Sequence, residues 1–307
     1  MTVVVERSAT TVARPRTAAR VAVTTRLGYG DVAGTALVIL GILMFTFVAT
    51  LSGLGTVKHV RDQQVAYDAF RSALANATAP VGQLGSDGKP LKLGTPVATL
   101  TIPQIGVNEI VFEGTTSGVL QSGPGHRRDT ALPGQAGIAL IYARHGAFGA
   151  PFAHLDQLRR GAVLQVTTGQ GRHSYRVIAV RRAGDPMPAA PAAGTGRLRL
   201  VTATGPMFVP EGLLYVDAQL VSKVQENPLR PITTSSLPEA EKPLQSDDSA
   251  WVPILLLAQG LLLAALLLTW LRTRWGAAQV WLVGLPAVLA LAVGLSQQVA
   301  RLLPNLM

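Results

Sequence analysis

Three long stretches of this chain carry no charged residue. They run from Val32 to Val57, from Ser249 to Leu271 and from Trp275 to Ala300. Each is longer than the roughly 20 apolar residues that cross a bilayer core. A buried helix of a globular domain keeps a polar stripe, and these runs have none. The pattern therefore predicts three transmembrane helices, at 32–57, 249–271 and 275–300. Between the first and second the periodicity changes. Over residues 58–76, Val65, Ala69, Ala73 and Ala75 recur among charged residues until Pro80 ends the pattern, which predicts a stalk helix, followed by a Gly-rich loop up to residue 94. Short β-branched runs then follow at 97–102, 108–112, 138–142, 163–167, 175–181, 197–202 and 213–220. Gly and Pro separate them, so a β domain over residues 95–222 is expected, with one short helix at 151–158. Residues 223–248 are rich in Pro, Ser and Glu and read as a linker back to the membrane.

Charge fixes the orientation of this arrangement. Arg7, Arg14, Arg16, Arg20 and Arg26 precede the first run, against Glu6 and Asp31. Arg272 and Arg274 lie in the loop 272–274 between the last two runs. Both basic clusters are expected on the cytoplasmic side. Residues 1–31 are then a cytoplasmic tail without apolar periodicity, predicted to be disordered. The β domain is extracytoplasmic and the protein multi-pass in the cell membrane. The first run is too long for a signal peptide, and no Ala-x-Ala site follows it, so it is read as an uncleaved anchor.

The net charge of +10 follows from this topology. The outer segment, 58–248, has 19 Lys or Arg against 15 Asp or Glu and is only mildly basic. No basic face interleaved with aromatics is present, which excludes a nucleic-acid partner. The bilayer is the expected partner of the basic tail. The chain has no cysteine, hence no disulfide and no thiol nucleophile. The histidines His59, His126, His145, His154 and His173 form no pair with metal-ligand spacing and carboxylate support, so no metal and no cofactor are expected.

Six short signatures across residues 95–220 resemble the sortase family, closest to the class E type of Gram-positive actinobacteria. They are Ile102-Pro103-Gln104-Ile105-Gly106-Val107, Gly123-Pro124-Gly125-His126, Leu132-Pro133-Gly134-Gln135-Ala136-Gly137, the segment Gly149-Ala150-Pro151-Phe152 to Gly161, Tyr175-Arg176-Val177 and Arg197-Leu198-Arg199-Leu200-Val201-Thr202-Ala203. The resemblance implies a mainly β fold, the sortase-like closed β-barrel. It implies as well a cell-wall setting and a sorting signal of Leu-Pro-x-Thr-Gly type as substrate.

The same resemblance places three catalytic roles on this chain. A cysteine thiolate attacks the peptide carbonyl, a histidine protonates the leaving amine, and an arginine on the next strand steadies the oxyanion. The cysteine position is Ala203, the arginine position is Leu213, and an ungapped match puts the histidine position on Arg144, with His145 one residue late. One residue of slip reverses a side chain on a strand. The expectation is a degenerate member, a pseudosortase with no catalytic residues. It would act by binding a sorting-signal peptide, an active sortase or another envelope protein. Tyr142, Phe148, Phe152 and Phe208 are the candidates for walling a peptide groove. Two alternatives stand beside it. One is a transpeptidase or peptidase with a non-cysteine nucleophile, for which Thr204 with His145 or His126 as base is the candidate. The other is a structural component of a membrane complex, packed through the small residues of the C-terminal hairpin.

Overall fold

The computed structural model describes residues 29–206, 208–274 and 277–307. The basic tail up to residue 28, residue 207 and residues 275–276, which include Trp275, lie outside the described residues. The first helix, α1 (Tyr29–Ala49), runs through a π-helical turn at Thr50–Leu54 into α2 (Gly55–Ala75), so anchor and stalk are one continuous rod. The turn has a local cause. Thr46, Thr50 and Ser52 each donate a side-chain hydrogen bond to the carbonyl four residues earlier, at 2.6–2.8 Å, which competes with the regular ladder.

Eight strands follow, namely β1 (Pro96–Ile102), β2 (Val107–Glu113), β3 (Gly125–His126), β4 (Gly137–Tyr142), β5 (Val163–Thr168), β6 (Gly171–Arg182), β7 (Gly196–Thr204) and β8 (Gly212–Leu220). They close into a barrel in the order β1-β2-β3-β4-β7-β8-β6-β5. Two of the neighbour pairs, β2–β3 and β4–β7, are parallel and the rest antiparallel. Side chains alternate across each strand. Leu100, Ile102, Ile141, Leu164, Val166, Leu198, Leu200 and Val216 accordingly meet in one buried core. Asp217, fully buried, ties three strands together, because Arg199 of β7 and Arg181 of β6 donate to its two carboxylate oxygens at 2.7 and 2.9 Å.

Four elements differ from the sequence expectation. The strand β3 is two residues long and shows no alternation to find. The helix expected at 151–158 is a turn ending in a 3₁₀ segment, Leu155–Gln157, since Leu155 and Phe152 both point into the core and hold the chain in a tight curve. The stalk does not stand clear of the barrel. Ala66 and Phe70 of α2 pack on Ile110 and Phe112 of β2, and the Gln63 amide bonds the Ile110 backbone on both its N–H and C=O. The segment 223–248 is likewise laid along the barrel, through Asn227 on Ala136, Ile232 on Gln83 and the buried Glu241 on Arg128.

A helical hairpin completes the fold, α4 (Trp251–Arg274) and α5 (Ala277–Val299). With the α1–α2 rod it makes three helices long and apolar enough to cross a membrane. Helix α5 packs on both α4 and α1. Beyond α5 the chain leaves the helical layer and runs back onto the barrel, and that return shapes the site.

Candidate functional site

The β7 sequence Leu198-Arg199-Leu200-Val201-Thr202-Ala203 divides its side chains between two faces. Leu198 and Leu200 join the barrel core, while Val201 and Ala203 belong to a second buried cluster on the outer face with Leu120, Tyr142 and Leu306. Thr202 points the other way and its hydroxyl donates to the Ala143 carbonyl at 2.9 Å. Ala203 is 3% exposed and pairs in register with Leu213 of β8. Leu213 packs against the same cluster, so two of the three implied catalytic positions are neighbours that present only hydrocarbon.

The third position follows β4. Arg144 is fully buried, and its guanidinium donates to the Ser117 carbonyl and hydroxyl at 3.1 and 2.8 Å and to the Met307 carbonyl at 3.2 Å. It sits 5.1 Å from the centre of the Phe148 ring, and its Nε has no partner. Among the described residues no carboxylate pairs with it, and burial alone pulls the guanidinium down to about 9. The neighbouring His145 uses its backbone N–H on the Leu306 carbonyl at 3.0 Å, and its Nδ1 is buried without a partner. The loop between them and Pro151 is strained. Phe148 and Ala150 have φ of 52° and 43°, in the left-handed region that side chains of this size avoid. Phe148 is held there by Gly55 at the α1–α2 junction, where an added Cβ would lie 2.9 Å from its ring.

A lid of chain covers this face. Leu306 is 0% exposed within the Ala203 cluster, with Leu244 packed beside it. Asn305 is equally buried. Its amide nitrogen donates to the Thr115 and Lys242 carbonyls at 2.8 and 2.9 Å, and its amide oxygen accepts from the Leu244 N–H at 2.9 Å. Arg301 donates to Asp247 at 2.6 Å, and Ser117 reaches the Ala300 and Leu303 carbonyls. Burial opposes charge on Asp247, but the hydrogen bonds from Ser249 and Arg301 outweigh it and hold its pKa below the usual carboxylate range.

The remaining candidates fall in three places. Tyr142 joins the Ala203 cluster, Phe152 belongs to the barrel core, and Phe148 packs with Leu51, Ala147 and Ala300 where the helices meet the barrel. Phe208 lies in the loop between β7 and β8 at 44% exposure and joins no buried cluster, because the Gly205-Pro206 turn carries it outward. Thr204 is half-buried at the end of β7, opposite Gly212. No hydrogen bond among the described residues links it to a base. His126 is committed elsewhere, its Nδ1 to the Glu113 carboxylate at 3.0 Å and its Nε2 to the Ala131 carbonyl at 2.9 Å. Burial opposes charge on His126, yet the Glu113 carboxylate and these hydrogen bonds outweigh it and raise its pKa. No group of three His, Cys, Asp or Glu able to hold a metal occurs among the described residues.

Sequence reasoning missed the occupant of the site. The signal was present in Leu302-Leu303-Pro304-Asn305-Leu306-Met307. An apolar stretch broken by Pro and Asn cannot extend the preceding helix and must find cover elsewhere.

Residues 100–221 match the family model described as Sortase domain. No curated protein matches the chain. Among solved structures, a sortase D5 transpeptidase of Clostridium perfringens is similar at 21% identity, over 53% of this chain and 99% of that one, with a TM-score of 0.44. Sortase A of Corynebacterium diphtheriae is similar at 18% identity, over 62% and 96%, with a TM-score of 0.39. Sortase C-1 of Actinomyces oris is similar at 23% identity, over 50% and 99%, with a TM-score of 0.38.

Proposed function

The chain carries a sortase domain and belongs through it to the sortase family, and from that premise we propose a membrane-anchored sortase-like protein that binds a peptide at the family site without cutting it. The observation that carries this reading is the side chain at position 203. Acyl transfer needs a nucleophile with a base beside it and donors aimed at the developing oxyanion. Ala203 supplies a methyl group, Leu213 supplies another apolar surface, and Arg144 is turned toward Ser117 and Met307. Arg144 keeps one donor character of the lost set, a cation within reach of a peptide carbonyl, but its terminal nitrogens are engaged by Ser117 and Met307.

What remains is a receptor. The Ala203 cluster offers an apolar seat beside backbone donors and acceptors, the combination that holds an extended peptide. The segment that fills it begins Leu303-Pro304, as does the sorting signal implied for the family. The expected partners are an envelope peptide or protein, with the class E, actinobacterial character read from the sequence motifs. The N-terminus is assigned to the cytoplasm and the barrel to the outer side, on the positive-inside pattern.

The test uses the full chain in lipid nanodiscs with a panel of Leu-Pro-x-Thr-Gly-type peptides, following binding and products together. Saturable binding with every peptide recovered intact is the expected result. Turnover above buffer, lost in Thr204→Ala, would replace this reading by an enzyme with a threonine nucleophile.

A further inference from the structure

The chain that covers Ala203 is bonded to the site as a peptide ligand is bonded to a receptor. Its contacts alternate between main chain and side chain. Asn305 N–H donates to the Gln245 carbonyl at 3.0 Å, the Leu306 carbonyl accepts from His145 N–H at 3.0 Å, and the Met307 carbonyl accepts from Arg144 at 3.2 Å. Between these bonds two side chains are read. The Asn305 amide has two acceptors and one donor opposite it, all backbone groups. An aspartate would lose both donated bonds, and a glutamine would carry its amide one methylene too far. The Leu306 side chain is fully buried in the cluster that contains Ala203.

The barrel does not need this segment. All eight strands close without it, and β7 and β8 complete their own ladder from Arg197–Gln219 to Thr204–Gly212. The segment adds no strand and is held by the few main-chain and side-chain bonds above and, just before it, by one ion pair, Arg301–Asp247, that remains partly exposed. One donor of the site, the Nε of the buried Arg144, is left unused by the present occupant.

We propose that residues 303–307 are the resident ligand of this site, that the ligand class is a turn segment reading Asn followed by a branched apolar residue, closed here by the Met307 N–H on the Pro304 carbonyl at 3.2 Å, and that a free peptide of this pattern exchanges with it. The inference rests on the binding reading above and names what that site recognises. A tethered segment occupies its seat at an effective concentration of about millimolar, so the free peptide competes against a strong resident and binds the wild type weakly. Evicting the resident removes that competition, and the apparent affinity rises by the reciprocal of the open fraction.

The experiment uses the full chain in nanodiscs and a fluorescent acetyl-Leu-Pro-Asn-Leu-Met-amide peptide. Leu306→Asp, which cannot seat on Ala203, is expected to bind the peptide at least about tenfold more tightly than wild type. A control peptide with Asp in place of its Asn is expected to bind neither. Since the chain has no native cysteine, the double variant Ala203→Cys, Leu306→Cys provides a second reading that does not depend on destabilising the segment. Its oxidation within one chain is expected to slow severalfold when the peptide is added. An oxidation rate indifferent to peptide, with no gain of binding in Leu306→Asp, would overturn the inference and leave residues 303–307 a fixed clasp. Sorting-signal peptides that still bind would then preserve the broader reading. Conversely, a tail peptide that binds and is cut would sustain the ligand assignment while refuting the absence of catalysis.

Discussion

At position 203 a methyl group stands where the family resemblance places a thiol, with Leu213 and Arg144 beside it at the other two implied positions. Restoring the thiol alone would leave Leu213 without a donor and Arg144 engaged by Ser117 and Met307. Ala203→Cys is therefore expected to show no peptide turnover in the assay described above, and a reaction rate above the alkylated control would show that the surrounding groups suffice. The pairing of Ala203 with Leu213 was legible in the sequence, because a strand motif fixes its end residue and the paired strand fixes the residue opposite. The role of Phe208 was not legible, since a turn residue's direction depends on Gly205-Pro206 and not on hydropathy. A second residue-scale expectation concerns His126. Its pKa is raised above the ordinary 6.5 in the fold by Glu113 and its hydrogen bonds, against the opposing effect of burial. The folded state thus holds this proton more tightly than the unfolded chain does. The resulting stability is complete below 6.5 and is lost as pH rises through the folded value. Thermal melts of wild type should fall over that alkaline flank, and Glu113→Gln should flatten the fall. A slope unchanged in Glu113→Gln would mean another group sets it.

Among the elements, those with a strong repeating pattern were readable and those built by context were not. Seven strands and three apolar helices follow from alternation and length alone. Two-residue β3 exists only because Glu113 and Tyr142 flank it, and no periodicity reports that. The stalk was visible as a helix, but its attachment to the barrel was not, because the small apolar contact of Ala66 and Phe70 is joined by polar side chains that hydropathy does not report. His59 of α2 bonds Glu109 of β2 at 3.1 Å and lies against Gly149, where an added Cβ would fall 2.5 Å from the imidazole. Gly149 also has φ of 77°. Gly149→Ala is thus both strained and obstructed, and should cost about 1–3 kcal/mol in a denaturation measurement. A cost below a few tenths would mean that α2 is not fixed to the barrel here. The same loop carries Arg144 and His145, so the variant should also weaken cover of the Ala203 face.

Taken whole, the molecule is a barrel with its Ala203 face turned toward the ends of its own helices. Leu51 of the rod, Phe148 of the barrel and Ala300 beyond α5 share one cluster, which joins the layer of apolar helices directly to the loop that bears Arg144. That the chain beyond α5 seeks cover was signalled locally, but its destination at Ala203 was not, because its partners lie 54 to 190 residues away. The orientation is testable with single cysteines in this cysteine-free background. Ser86→Cys should react with an impermeant maleimide on intact cells, and Thr273→Cys only after permeabilisation, whereas the reverse order would invert the assigned topology. The central claim is that the site binds and does not cut. Its most direct test is simultaneous calorimetry and mass spectrometry of the full chain in nanodiscs with sorting-signal peptides. Binding heat with every peptide mass unchanged is the expected outcome, and a cleaved or transferred peptide would contradict the account.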